Sequence, residues 1–254
     1  MRYYFLLSYL PEIQIGKEPD IHFDDLKYLL NMNLTENDLN KVKSLLTLID
    51  LKNVRSVLKE EELDPRGNLT EKEIDEGLLV QTNLPELVFD YMSAHEGSED
   101  RIRYFSEVFV KFFAESIEKS EGFLQRYFQF EREIRLTVLA LRAKQFKKDL
   151  SHELQFEDPT DPFVAHILSQ KDMESFDPPM EYQEVKALFQ DHLDDPKDLA
   201  RKFLEYRYKK IEEMEMDKIF GIDQVLGYVA RLLLVEYWHQ LDEEEGKNTI
   251  SKVI

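Results

Sequence analysis

Apolar positions along this chain recur at three- and four-residue steps, the period of a helix buried along one side. The pattern is densest near the C-terminus. There Ile222, Val225, Leu226, Val229, Leu232, Leu233, Tyr237 and Leu241 follow one face, and Tyr228, Leu234, Val235 and Trp238 form a second row beside it. A helix apolar over so much of its circumference has to be enclosed by other helices or by a partner. Asp223, Arg231, Glu236 and His239 interrupt it, so no membrane span is expected.

The upstream segments read as the enclosing material. Residues 3–10 are apolar on all sides, a buried strand or a helical turn that Pro11 ends. Phe23, Leu26, Leu29 and Leu30 predict a helix with Asp24 and Asp25 in its first turn. Thr35 with Asp38 forms a cap for the next, whose face carries Leu39, Val42, Leu45, Leu46 and Ile49; residues 50–58 continue or restart it. Ser98 is the expected cap of a helix bearing Phe105, Val108, Phe109, Phe112 and Phe113. After Gly122, residues 123–150 predict a helix of about 40 Å, and the tight turn between the two makes them antiparallel neighbours. Helices resume near Tyr182 and over 197–216, where the second is expected to cover the last helix.

Residues 64–68, Asp-Pro-Arg-Gly-Asn, are the clearest turn. Pro65 sets φ, Gly67 or Asn68 is expected to be left-handed, and Thr70 with Glu73 makes a capping box for the helix that follows. The oxygen-rich run invites a calcium loop, but Arg66 stands where a carboxylate is needed and Leu69 where glycine is needed. It reads as a helix-to-helix corner. Pro159, Pro162, Pro178 and Pro179 mark a second change of texture, with a short helix over 163–168. The expected organisation is a helical part over 1–156, made of two lobes with a break near 64–68. A proline-rich connector over 157–180 and a second helical part over 181–254 follow.

Composition narrows the function. Lys and Arg number 33 against 52 Asp and Glu, a net charge of −19, which disfavours a nucleic-acid or anionic-membrane surface and suits a basic protein partner. With 43% hydrophobic residues the 254-residue chain can bury a core, and eight glycines and nine prolines fit long helices. There are no cysteines, so thiolate chemistry and disulfides are excluded. The opening residues lack a small-residue cleavage site, and a cytoplasmic location is expected.

Candidate chemistry is thin. None of His22, His95, His152, His166, His192 and His239 forms the i, i+4 pair of a helical zinc site. The sequence holds neither a glycine-rich phosphate loop nor a G-x-S-x-G elbow. Residues 151–153 and 191–195 combine histidine with carboxylates beside expected turns. The acidic runs at 60–62 and 242–245 read as exposed helix ends or loops. No catalytic, cofactor or metal residue is assigned, and no cofactor is expected.

Four stretches resemble a bacterial family of uncharacterised proteins encoded among the components of V-type ATPases: residues 3–12, 64–68, 139–144 and 220–242. More distantly the chain resembles the C-type stalk protein of V-type ATP synthases, the d-type in eukaryotes. That similarity rests on Asp50 and Asn53 as an aspartate-x-x-asparagine helix, on Leu141-Arg142-Ala143-Lys144, and on Phe220-Gly221 followed by Tyr228. It departs where a polar face after the tyrosine becomes Leu232, Leu233, Leu234 and Trp238, and the chain is shorter than most of that family. The resemblance implies an all-α, elongated multi-helix bundle of three related lobes, seated between the membrane rotor ring and the central shaft. It implies a non-enzymatic central-stalk subunit that is cytoplasmic and peripheral to the membrane, with the rotor-shaft subunits and membrane ring as partners. Neither nucleic-acid binding nor membrane insertion is expected. An assembly factor for the same V-type ATPase and a helical metal-dependent hydrolase around His152, His166 or His192 are the alternatives. Asp50, Asn53, Arg142, Phe220, Gly221, Tyr228, Leu233 and Trp238 are the candidate structural or partner-contact residues. Burial of the Leu232–Trp238 face would make the departure a repacking; exposure would make it a partner surface.

Overall fold

The computed structural model describes residues 2–215 and 220–241, so 216–219 at the end of the penultimate expected helix and the acidic run at 242–245 lie outside the described residues. The protein is all-α. In chain order the helices are α1 (Tyr4–Tyr9), α2 (Phe23–Asn33), α3 (Glu36–Lys59), α4 (Glu71–Val80), α5 (Glu86–Ala94), α6 (Ser98–Arg103) and α7 (Ser106–Lys119). They continue as α8 (Gly122–Gln145), α9 (Leu150–Glu153), α10 (Pro162–Ser169), α11 (Gln183–Asp191), α12 (Pro196–Glu215) and α13 (Ile222–Gln240), with one 3-10 turn at Met180–Tyr182. None of the described helices is long and apolar enough to cross a membrane.

Most start signals act as expected. Thr35 accepts the Asp38 N–H, and α3 runs unbroken through residues 50–58. At α4 both halves of the Thr70–Glu73 capping box are made. The ambiguous residues 3–10 form the helix α1. Other boundaries differ. Ser98 is the first residue of α6 and caps nothing; Gly97 occupies the cap position at φ 86°, which suits glycine. The expected single helix after residue 98 breaks at Tyr104–Phe105, giving α6 and α7. α8 stops at Gln145 rather than near 150, because Lys147 is left-handed (φ 54°) and the Lys148 N–H returns to the Ala143 carbonyl at 2.8 Å. α5 is an element that the apolar pattern did not separate.

α7 and α8 are antiparallel, as their tight turn requires. Phe112 meets Phe128 edge-on at 5.5 Å, Gln125 donates to the Ile117 carbonyl, and farther out Arg135 lies over the Phe113 ring. α12 and α13 are antiparallel by the same logic, since contacts climb one helix as they descend the other. Arg231 grips Glu215 and Tyr208, while Arg201 lies 4.7 Å over the Trp238 ring. α12 thus covers α13. Gly227 allows the closest approach, because a Cβ there would overlap the Glu215 side chain.

Two apolar clusters fill the interior. One gathers α1–α5, α7, the first turns of α8, Ile211 of α12 and the middle of α13; the other gathers the rest of α8 with α9–α11, the first half of α12 and Leu241. α8 passes from one to the other between Phe128 and Phe130. Each fully buried Leu, Ile or Phe among them is worth about 2 kcal/mol relative to exposure. The proline-rich stretch 157–180 is pinned within the second cluster. Glu157 takes Arg132 at 3.0 Å and Arg135 as a second partner, Phe176 is buried, and Gln170 bonds both the N–H and the carbonyl of Asp177.

Gly227→Ala tests the α12–α13 approach. Alanine would gain about 1 kcal/mol of helix propensity, but displacing the pinned Glu215 should reverse the sign and leave a net loss of about 2 kcal/mol. Urea denaturation of the variant checks this. A stabilised protein would contradict the packing.

Candidate functional site

Two of the polar residues singled out in the sequence, Asp50 and Asn53, meet at one corner. Asp50, buried in α3, accepts the Asn68 and Leu69 backbone N–H groups at 2.7 and 3.1 Å on one oxygen and the Asn68 side-chain amide at 2.6 Å on the other. One turn later Asn53 makes the reciprocal pair with the Asp64 backbone, donating at 2.8 Å and accepting at 2.9 Å. Together they clamp the 64–68 corner onto α3. Neither Gly67 nor Asn68 is left-handed, contrary to expectation. Gly67 is needed for closeness: a Cβ would stand 2.5 Å from an Asp50 carboxylate oxygen.

Arg66, the residue that spoils a calcium loop, carries the corner across to the last helix. Asp64 receives its Nε and Nη2 groups, each at 2.7 Å. Its outer donors reach α13, to the Leu233 carbonyl at 3.2 Å, to Glu236 at 3.5 Å and to the Gln240 amide oxygen at 3.4 Å. Glu236 in turn accepts the Phe23 N–H at 2.8 Å, supplying α2 with the N-terminal acceptor that His22 does not provide, and lies 3.5 Å from the His22 ring. α2, α3, the corner and α13 therefore meet through one buried guanidinium. Beside it opens a cleft of about 460 Å³ that includes His22, Pro65, Arg66, Glu236 and His239.

Burial pushes the Asp64 carboxyl up, but the hydrogen bonds and charge of Arg66 outweigh it and hold the group below its ordinary value. The same carboxylates outweigh burial at Arg66 and raise its pKa. At Asp50 burial dominates over the Asn68 and Leu69 hydrogen bonds and raises the carboxyl.

The opening residues form a strap over α3, α12 and α13. Tyr3 donates its hydroxyl to Asp38, and its N–H reaches the Phe220 carbonyl at 3.2 Å. Tyr228 donates to the Pro11 carbonyl at 2.9 Å and Tyr208 to that of Ile13 at 2.6 Å. Burial raises the Tyr228 phenol to about 12. Phe220 precedes α13 at φ 60°, its N–H held by Gln224 at 2.9 Å and its ring 4.8 Å from that of Tyr4; Gly221 is the extended N-cap.

Arg142 stands apart. It is half-buried on α8, and burial lowers its pKa against the charge of Glu153. Its neighbour Lys144 makes the joint, donating to the Gln170, Lys171 and Met173 carbonyls at 2.6–2.7 Å, where a cation meets the C-terminus of α10. Leu232 and Val235 are fully buried, while Leu233, Leu234, Tyr237 and Trp238 are half-buried against the two clusters. The apolar face after Tyr228 is thus packed against the rest of the chain, at Leu232 and Val235 completely and at the other four positions in part. Among the described residues no group of three His, Asp or Glu side chains is placed to hold a metal ion. His152 is exposed on α9, His166 bonds the Asp177 carbonyl, and His192 pairs with Asp198. Sequence reasoning missed Arg66 and Lys144 as joints. The available signal for Arg66 was Glu236, a carboxylate within an apolar helix face that requires a partner.

Across residues 1–254 the chain matches a family model described as Protein of unknown function (DUF2764). A Chlamydia muridarum protein is 30% identical over 256 residues, covering 98% of this chain and 96% of its own length. Proteins from Chlamydia trachomatis and Chlamydia pneumoniae are 27% and 28% identical, covering 98% and 99% of this chain and 96% and 97% of their own lengths. All three bear the name Uncharacterized protein. No solved structure matches the chain.

Arg66→Ala would leave Asp64 and Glu236 as uncompensated, largely buried charges and should cost about 3 kcal/mol in denaturant unfolding. Asp64→Asn gives the pH test. A carboxyl lowered by folding stabilises above its unfolded value of 3.8, so the gap between wild type and Asp64→Asn should be full there and shrink as pH falls through the lower folded value. A gap that is constant between neutral and acid pH would contradict the pairing.

Proposed function

The chain belongs to the DUF2764 family, and we propose that it serves as a non-enzymatic central-stalk component of a V-type ATP synthase. In this role it is a spacer and socket passing torque between the rotor-shaft subunits and the membrane ring, on the cytoplasmic side and peripheral to the membrane. One observation carries the reading. Most positions behind the resemblance to the C-type stalk protein, though not Arg142, coincide with joints between elements distant in sequence. Asp50 and Asn53 clamp the 64–68 corner to α3, and Tyr228 and Phe220 hold the N-terminal strap to α13. Lys144, in the third matched stretch, fixes the end of α10 to α8.

A torque coupler has to resist shear between its helices. Apolar packing alone permits sliding, whereas a buried guanidinium or amide pair has one geometry in which all its partners are satisfied. Here the Arg66 and Arg231 guanidiniums, the Asp50 and Asn53 clamps and the Lys144 ammonium tie α2, α3, α8, α10, α12 and α13 to their neighbours. Transmission of force requires no reacting group or cofactor.

Purification of the ATPase from cells producing a tagged copy of this chain tests the proposal. The tag should bring down the shaft and the ring in fixed stoichiometry. If the chain joins neither, while the remaining complex assembles and hydrolyses ATP normally, the stalk role is rejected. Recovery with partly assembled complexes but not with the mature enzyme would replace it with an assembly factor.

A further inference from the structure

Charge is distributed unevenly along the chain. Residues 60–100 hold thirteen acidic side chains against two basic ones, a net of −11 out of the total of −19. These residues include α4 and α5, and α4 packs on α3 and buries Ile74 and Gly77 while its other sides face outward. Soluble surfaces normally place charges where a helix meets water, and here Glu73, Asp75 and Glu76 are exposed as expected. The last turn breaks that rule. Leu79 is 83% exposed and Val80 60% exposed, adjacent to one another.

Helical geometry unites these features. Glu76 lies three residues before Leu79 and four before Val80, so all three share a face, with Asp75 one turn back from Leu79. Asp75 and Glu76 form no ion pair within the described residues. The C-terminal end of α4 adds the negative pole of its peptide dipoles beside the two aliphatic side chains. Single exposed leucines are common on soluble proteins. An adjacent aliphatic pair set in the most acidic part of an acidic chain is a more specific arrangement.

We infer that the outer face of α4 is a docking surface for a basic amphipathic helix of a partner protein. Leu79 and Val80 would enter its apolar stripe, while Asp75 and Glu76 meet the lysines or arginines that flank the stripe. Charge complementarity selects this occupant. A second copy of the chain would bring its own 60–100 region, of like charge, against this one, and an anionic lipid surface would be repelled in the same way. The surface stands on exposure and charge and does not depend on the stalk reading.

The test uses the whole chain, labelled with nitrogen-15, and two synthetic amphipathic helices with the same leucine stripe, one flanked by lysines and one by glutamates. The lysine peptide should shift the amide resonances of α4 first and bind more weakly as salt is added. Leu79→Ser with Val80→Ser should weaken it about tenfold or more. Glu76→Lys, which leaves the aliphatic pair in place, should also weaken it. All three positions are exposed, so an unchanged thermal midpoint is expected and separates lost binding from lost folding. The inference is overturned if the lysine peptide shifts other acidic regions equally, if the double serine variant binds it unchanged, or if the glutamate peptide binds as well. Binding of Leu79 and Val80 to zwitterionic phosphatidylcholine vesicles in place of the peptide would overturn it too.

Discussion

The position of the last helix depends on one guanidinium. Arg66 sits in a turn between α3 and α4, but its outer nitrogens end on α13, at a backbone carbonyl and two side chains. A charge buried to this degree is stable only when all its donors are used, so the corner and α13 hold one relative placement. Asp50 and Asn53 determine where Arg66 starts, by fixing the corner on α3, and Gly67 lets the backbone come close enough for that. Glu236 passes the constraint onward to α2 by accepting its first N–H.

The same design recurs around the molecule. Arg231 joins α13 to Glu215 and Tyr208 of α12, Glu157 binds the proline-rich stretch to two arginines of α8, and Lys144 collects three carbonyls beyond α10. Apolar burial in the two clusters drives collapse, but it is tolerant of small slips between helices. The polar joints select one register. That division of labour gives a stiff scaffold in which one surface is presented at a fixed distance from another, as the proposed stalk role needs.

Much of the helical content could be read from the apolar period, because most of the helices bury one face and their start signals are local. The Thr70–Glu73 box and the antiparallel α7–α8 pair are examples. The joints were harder. Arg66 and Leu233 are separated by 167 positions, and no local pattern reports such a contact. Lys144 and Arg142 are alike in the sequence, both cations on one helix, and only the three-dimensional path of residues 170–173 distinguishes them. The apolar residues after Tyr228 allowed two outcomes in the sequence, an open surface or an internal one. In the fold α12 and the two clusters enclose Leu232 and Val235 and cover Leu233, Leu234, Tyr237 and Trp238 in part.

Hydrogen exchange followed by mass spectrometry on the wild type and Arg66→Gln addresses the central constraint most directly. If Arg66 joins these elements, protection should fall together in the first turn of α2, in residues 64–69 and in the last two turns of α13, while residues 150–206 keep theirs. Faster exchange confined to residues 64–69, with α2 and α13 unchanged, would contradict the account.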